Sequence, residues 1–224
     1  MVFDKDGTLF GFADTWEGWA TRLFEELSGG DPGLAEDLGA RVGFDMRTGQ
    51  FRADSVVISK TPDEIAANLV AALPGSTPAS LVRRMNKLAE KVRVCETVPL
   101  APYLDRLATA GLKLGLATND AESPARANLD QVGVTGRFDF IAGYDSGFGA
   151  KPGPGMLQGF ARSMGLSCKD VVMVGDSVHD LQSGRAAGAA AVAVLTGPAV
   201  EADLAPHADV VLPDIGYLPQ WLGL

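Results

Sequence analysis

Cysteine is nearly absent. Only Cys95 and Cys168 occur in 224 residues. Two such distant residues make neither a disulfide framework nor a zinc site, and both read as plain residues of a reducing compartment. Basic charge is scarce as well: 19 Lys and Arg stand against 28 Asp and Glu, a net charge of −9. A chain this acidic is a poor sequence-independent nucleic-acid binder, which needs basic surface. It can still take a small anionic substrate, because a local site can be positive on a negative protein. Long apolar runs are missing too. The longest, "AGAAAVAVLTG", is about half of the ~20 residues a membrane span needs. Asp4, Lys5 and Asp6 interrupt the first apolar stretch at once, unlike a signal peptide. Internal repeats and low-complexity tracts are also lacking. These absences lead to the expectation of a soluble cytoplasmic protein with neither nucleic acid nor membrane as partner. Monomer and homodimer both stay open.

What is present is an ordinary globular composition, 46% hydrophobic and 21% charged. It suits one large domain, or a core with a second small one. From Ala13 to Val94 the pattern reads almost entirely helical. "ADTWEGWATRLFEELSGG" places Trp16, Trp19, Ala20, Leu23, Phe24 and Leu27 at helical spacing and stops at Gly29-Gly30. "TPDEIAANLVAALPG" offers Thr61 as N-cap, Pro62 in the first turn and Glu64 to complete a capping box. Thr77-Pro78 repeats that start ahead of the most basic helix. Between them, "GFDMRTGQFRADSVVIS" is less regular and reads as a loop with a short extended piece.

After Pro99 the pattern changes. "LKLGLAT", "FDFIAGY", "VVMVGD", "AAVAVLT" and "DVVLP" are short apolar runs. They alternate with helical segments at Pro102–Ala110, Ser123–Val132, Pro154–Met164 and Asp180–Ala187. This predicts a parallel sheet covered on both faces, with "MVF" as one of its strands.

Polar residues follow the strands: Asp4 and Asp6, then Thr118-Asn119-Asp120, then Lys151, then Asp176-Ser177 with Asp180. In an open α/β sheet, ligands bind at the carboxyl ends of strands, so these sets converge on one rim. Asp4, Asp6 and Asp176 are hard oxygen donors suited to Mg²⁺. Packed together, they repel unless a cation lies among them. Lys151 and Thr118 suit phosphate oxygens. The turn at "DKDGT" adds backbone donors, with Gly7 allowing close approach. Metal, lysine, donors and a carboxylate free to attack make a site for phosphoryl transfer.

At these residues the sequence resembles the haloacid dehalogenase superfamily. "DKDGT", "LGLATND", "AKPGPGM" and "VVMVGDSVHD" match its four motifs in order, and the resemblance covers the whole chain. It implies an α/β, Rossmann-type parallel sheet with helices on both faces. A small all-helical cap would follow the first strand, as in the phosphoglycolate-phosphatase-like branch. The expected division is a core of residues 1–12 and 96–224 and a cap of residues 13–95. The resemblance makes Asp4 the nucleophile, forming an aspartyl phosphate, and Asp6 the acid and base. Thr118, Asn119, Gly7 and Lys151 would hold the phosphoryl group. Mg²⁺ would bind Asp4, the Asp6 backbone carbonyl and Asp176. Asp180 would support the metal's waters or orient Lys151. The expected activity is Mg²⁺-dependent hydrolysis of a small phosphorylated metabolite, with a phosphomutase of the β-phosphoglucomutase type as the alternative.

Other residues carry weaker expectations. Arg47 and Arg52 can either meet an acidic substrate or lie solvated. Trp16 and Trp19 read as helix packing, and His179 as a surface residue. Lys5, by strand alternation, reads as a bystander facing away from the phosphate. "FGFADT" displaces Asp14-Thr15 from their usual branch position, which predicts a rebuilt start to the cap.

Overall fold

The computed structural model describes residues 1–224. The chain begins with β1 (Val2–Phe3). It then builds α1 (Phe12–Ser28), α2 (Pro32–Val42), β2 (Phe44–Asp45), β3 (Gln50–Phe51), α3 (Pro62–Leu69) and α4 (Pro78–Ala89). The rest alternates: α5 (Leu100–Thr109), β4 (Gly115–Ala117), α6 (Glu122–Gln131), β5 (Phe140–Ala142), α7 (Gly155–Met164) and β6 (Val172–Gly175). It ends with α8 (Val178–Ala187), β7 (Ala190–Val194), α9 (Glu201–Leu204), β8 (Val210–Leu212) and α10 (Leu218–Leu222). No helix is long and apolar enough to cross a membrane.

Six strands form one parallel sheet in the order β5-β4-β1-β6-β7-β8. The two-residue β1 is stable there because it is central, paired to β4 on one side and β6 on the other. Its side chains part to opposite faces, as the strand period requires. Phe3 joins Leu100, Leu104 and Leu107, while Val2 joins Met156, Leu157 and Phe160.

Helices α1 to α4 enclose an apolar cluster of their own, running in sequence from Phe12 to Val92. In α1 the helical stripe read from the sequence, Trp16, Trp19, Ala20, Leu23, Phe24 and Leu27, is buried. Thr61 with Glu64 forms the expected capping box on α3. Thr77 caps α4 in the same way, with Ser80 as its reciprocal partner.

The expectation of an all-helical cap needs correction, since β2 and β3 pair as an antiparallel ribbon. Local chemistry closes this hairpin. Asp45 Oδ1 accepts from the backbone N–H of Arg47 at 2.8 Å and of Thr48 at 3.3 Å. Gly49 takes the left-handed conformation, at φ 70°. Phe44 and Phe51 then pack across the ribbon with ring planes tilted by 60° and centroids 4.8 Å apart, within the range for favourable aromatic pairs.

Two chain segments join the four-helix unit to the sheet, and they run side by side. Gly11 N–H donates to Cys95 O at 2.9 Å, and Thr97 N–H donates to Leu9 O at 3.0 Å. This pairing fixes the capping unit over the rim where β1 ends.

Candidate active site

Asp4 extends β1 by one hydrogen bond, donating its N–H to Val174 O at 2.9 Å. The chain then turns. Leu9 N–H and Phe10 N–H both return to Lys5 O, and Gly7 sits in the turn at φ 74°. Glycine is required there twice over: the conformation disfavours a side chain, and a Cβ would collide with the Asp176 carboxylate.

Lys151 lies at the centre of the site. Its Nζ is 2.6 Å from Asp4 Oδ1 and 2.6 Å from Asp180 Oδ1, and it donates to Ala117 O at 2.8 Å. Burial alone would lower its pKa, but the charges of Asp180 and Asp4 outweigh that and raise it. Lys151 is therefore a fixed cation. Asp180 holds it with one oxygen, while its other oxygen accepts from Ser177 Oγ at 2.6 Å and Ser177 N–H at 3.0 Å. With Asp180 N–H donating back to Ser177 Oγ at 3.4 Å, the bond from Ser177 N–H closes the capping box of α8. Ser177 is thus the N-cap, and Asp176 is not spent on it. Asp176 accepts only from Thr8 Oγ1 among side chains, at 3.3 Å.

Oxygens of Asp4, Asp176 and Asp180 lie within 4.8 Å of one another, all buried. One ammonium faces three acids. Burial, reinforced by Asp180, pushes the Asp4 carboxyl up to about 7. Burial and the charges of Asp180 and Asp4 likewise raise Asp176. Excess buried negative charge made of carboxylate oxygens fits a hard divalent cation such as Mg²⁺.

Asp6 points elsewhere. Its Oδ2 is 3.0 Å from Lys5 Nζ, and its Oδ1 is buried without a hydrogen-bond partner. Lys5 is fully buried, and its Nζ also pairs with Asp120 at 3.1 Å and donates to Asn128 Oδ1 at 2.8 Å. It lies 5.1 Å from the Trp16 ring centroid as well. Lys5 is not among the cavity-lining residues, as expected of a group facing away from the phosphate, but the alternation that set it opposite Asp6 fails. Alternation holds only along a strand, and β1 stops at Phe3, so the turn lets neighbours Lys5 and Asp6 meet.

Asn119 is a cross-link. Its amide donates to Ser59 O at 2.8 Å and to Lys151 O at 3.1 Å, and accepts from Lys151 N–H at 2.8 Å. Those bonds commit its side chain to the backbone, leaving its own N–H as the group it can offer a phosphate. Thr118 is buried with its Oγ1 accepting from Asp120 N–H at 3.1 Å, and its hydroxyl proton remains to be donated.

A cavity of about 70 Å³ opens between sheet and capping unit. Asp4, Asp6, Thr118, Asn119, Lys151 and Asp180 line its floor, so the structure brings these sequence-derived candidates together. Trp16 and Trp19 line it as well as packing the capping unit. Arg47 and Arg52 do not reach it. Each is exposed and faces an acid of its own, Asp45 at 3.8 Å and Asp54 at 3.0 Å. His179, read as a surface residue, lines the cavity half-buried, and burial lowers its pKa. Sequence reasoning missed Asn128, Ser59, Ile65 and Met85. Asn128 alone carried a signal, as a polar residue on the buried face of α6.

The sequence profile of the haloacid dehalogenase-like hydrolases matches residues 1–194. A phosphoglycolate phosphatase from Xylella fastidiosa strain 9a5c is 30% identical over 197 residues, 88% of this chain and 80% of that protein. One from Rhodospirillum rubrum is 35% identical over 120 residues, 54% of this chain, and that match spans about half of the relative's length (50%). Among solved structures, CbbY from Rhodobacter sphaeroides in complex with phosphate superposes with a TM-score of 0.69 at 19% identity, covering 97% of this chain and 94% of that one. Motif order, sheet topology and a profile match across most of its length agree, and the chain belongs to the haloacid dehalogenase-like hydrolase family.

Proposed function

We propose that this protein is a Mg²⁺-dependent phosphatase that hydrolyses small phosphate monoesters through an aspartyl phosphate on Asp4. The observation that carries the reading is the arrangement about Lys151: one buried ammonium bridges Asp4 and Asp180 while Asp176 stands beside them. The curated relatives that are phosphoglycolate phosphatases support it.

In this reading an oxygen of Asp4 attacks phosphorus and the ester P–O bond breaks. Lys151 and the Thr118 hydroxyl hold the phosphoryl oxygens as charge shifts onto them. Asp6 gives its proton to the departing alkoxide. Asp6 lines the cavity, and its Oδ1 is free of any hydrogen-bond partner. The resulting carboxylate then takes a proton from the water that cleaves the aspartyl phosphate, returning Asp4 and releasing phosphate. Asp4 and Asp176, with the Asp6 carbonyl and Asp180 in support, would hold Mg²⁺, which would supply charge neutralisation when bound. The capping unit excludes bulk water above this floor.

The test is phosphate release from a panel of metabolite esters with and without Mg²⁺, beside an Asp4→Asn control. No Mg²⁺-dependent release above the control overturns the reading. A phosphomutase of the β-phosphoglucomutase type would return an isomeric sugar phosphate instead of free phosphate, so the same panel separates the two.

A further inference from the structure

The side of the cavity that faces the leaving group is unusual for an acidic or sugar substrate. Its capping-unit side is largely apolar, with Phe12, Trp16, Trp19, Ile58, Ile65 and Met85 among the lining residues, and Ser59, Lys60 and Asn86 as its polar members. A glycolate-like leaving group carries a carboxylate, and a carboxylate moved against such a wall needs a cation to replace its water. The available cations are engaged elsewhere. Arg47 and Arg52 lie outside the cavity with acids of their own. Lys60 lines the mouth, but it is substantially exposed and pairs with Glu64 one turn on, at 3.2 Å. Lys5 and Lys151 are each held by two carboxylates.

A sugar would need several donors and acceptors along the same wall. Trp19 spends its indole N–H on Met85 O at 3.3 Å. Trp16 is nine-tenths buried, and its indole N–H has no partner. The capping side is therefore largely apolar, and its polar groups, the Trp16 indole N–H, the half-buried Asn86 amide and Ser59, are fewer than a sugar's hydroxyls require.

We infer that the preferred substrate is a phosphomonoester of an apolar alcohol, aliphatic or aromatic, rather than of a hydroxy acid or a sugar. This rests on the phosphatase reading and narrows it to a substrate class. Recognition comes from burying the alcohol's hydrocarbon against Trp16, Trp19, Ile65 and Met85, while the phosphoryl end meets Lys151.

The experiment compares kcat/KM, with Mg²⁺, for phosphoglycolate, glucose 6-phosphate and a series of straight-chain alkyl phosphates. The alkyl alcohols are similar leaving groups, so the trend along the series reports the cavity. Each added methylene raises kcat/KM by about fourfold until the space is filled. The best alkyl ester then exceeds phosphoglycolate by about tenfold or more. Ile58→Arg places a cation on a half-buried residue of the cavity lining and shifts the ratio toward phosphoglycolate. If phosphoglycolate or the sugar phosphate is turned over faster than every alkyl ester by the native protein, the inference is overturned. If no ester is hydrolysed, the phosphatase reading falls, and calorimetry with unreactive analogues decides the remainder. Butylphosphonate binding more tightly than phosphonoacetate supports an apolar site, and the reverse order removes it.

Discussion

Lys5 Nζ stands 3.1 Å from the Asp120 carboxylate, with no exposed surface on the lysine. The pair joins the turn after β1 to the loop after β4. Asn128, which accepts from the same ammonium, donates through its own amide to Ala89 O of α4 at 3.1 Å. One buried cation thus ties two loops of the site to the capping unit. Removing one partner of such a buried set strands the others without a counter-charge. Lys5→Met is expected to destabilise the protein by about 3–5 kcal/mol, read from urea denaturation. Adding Asp120→Asn to that variant should restore part of the loss, because one stranded charge is then gone. Equal stability of Lys5→Met and the native protein would show the network to be idle.

The acid cluster makes stability depend on pH in a direction opposite to that of most carboxylates. Asp4 is raised from its ordinary 3.8 to about 7, with burial the first cause. Between those values the folded protein binds a proton that the unfolded chain has released. Stability contributed by this group is therefore full below about pH 4 and lost as pH rises through 7. The shift is worth up to about 4 kcal/mol. In EDTA, the urea midpoint should fall from pH 5 to pH 8. Mg²⁺ should flatten that slope, and so should Asp4→Asn. A metal-free midpoint that rises across this interval would contradict the arrangement.

The contrast between Lys5 and Lys151 shows how far the sequence could be read. Lys151, Asp4, Asp176 and Asp180 were legible because each follows an apolar run that forms a strand or opens a helix, and strand ends converge. The sheet, the helices behind it and the α1 stripe followed from periodicity. Lys5 was illegible for the same reason that Asp4 was clear. Alternation was extended one residue past the strand, into a turn where it has no force. The β2–β3 ribbon is legible only as one short extended piece beside a loop, because two-residue strands carry no periodicity, although Asp45 and Gly49 mark its turn. Arg47 and Arg52 could not be placed, since an arginine's reach is decided by nearby acids, here Asp45 and Asp54.

Asn119 offers a separate test of how the capping unit is registered on the floor. Its amide holds Ser59 O, from the capping unit, and both backbone groups of Lys151. Asn119→Ala deletes all three bonds without adding charge. The Lys151 main chain loses its anchor, so the ammonium is less well placed, phosphoryl stabilisation weakens, and the wall above the leaving group loosens. We expect kcat to fall by about tenfold to a hundredfold, as misplacement of a reacting group generally costs, with KM rising as well. Asn119→Asp should be worse than alanine, because it places a further carboxylate near Asp4 and removes the donor to Ser59. Steady-state kinetics on one ester suffice. Unchanged kcat in Asn119→Ala would mean that Asp4, Asp180 and Ala117 O suffice to position Lys151.

Asp6→Asn separates the two halves of the proposed reaction. The substitution keeps the shape beside Lys5 but can neither give a proton to an alkoxide nor take one from water. An aryl phosphate needs little protonation of its leaving group, so Asp4 should still be phosphorylated from it. Hydrolysis of the aspartyl phosphate, which requires a base, should then stall. Rapid mixing with an aryl phosphate should show a burst of about one phenolate per protein, followed by turnover slowed by about a hundredfold or more. Intact-protein mass spectrometry should find one added phosphoryl group, absent from the Asp4→Asn/Asp6→Asn double variant. Steady turnover at the native rate would dismiss Asp6 as the base. A burst that survives loss of Asp4 would place the covalent intermediate on another residue.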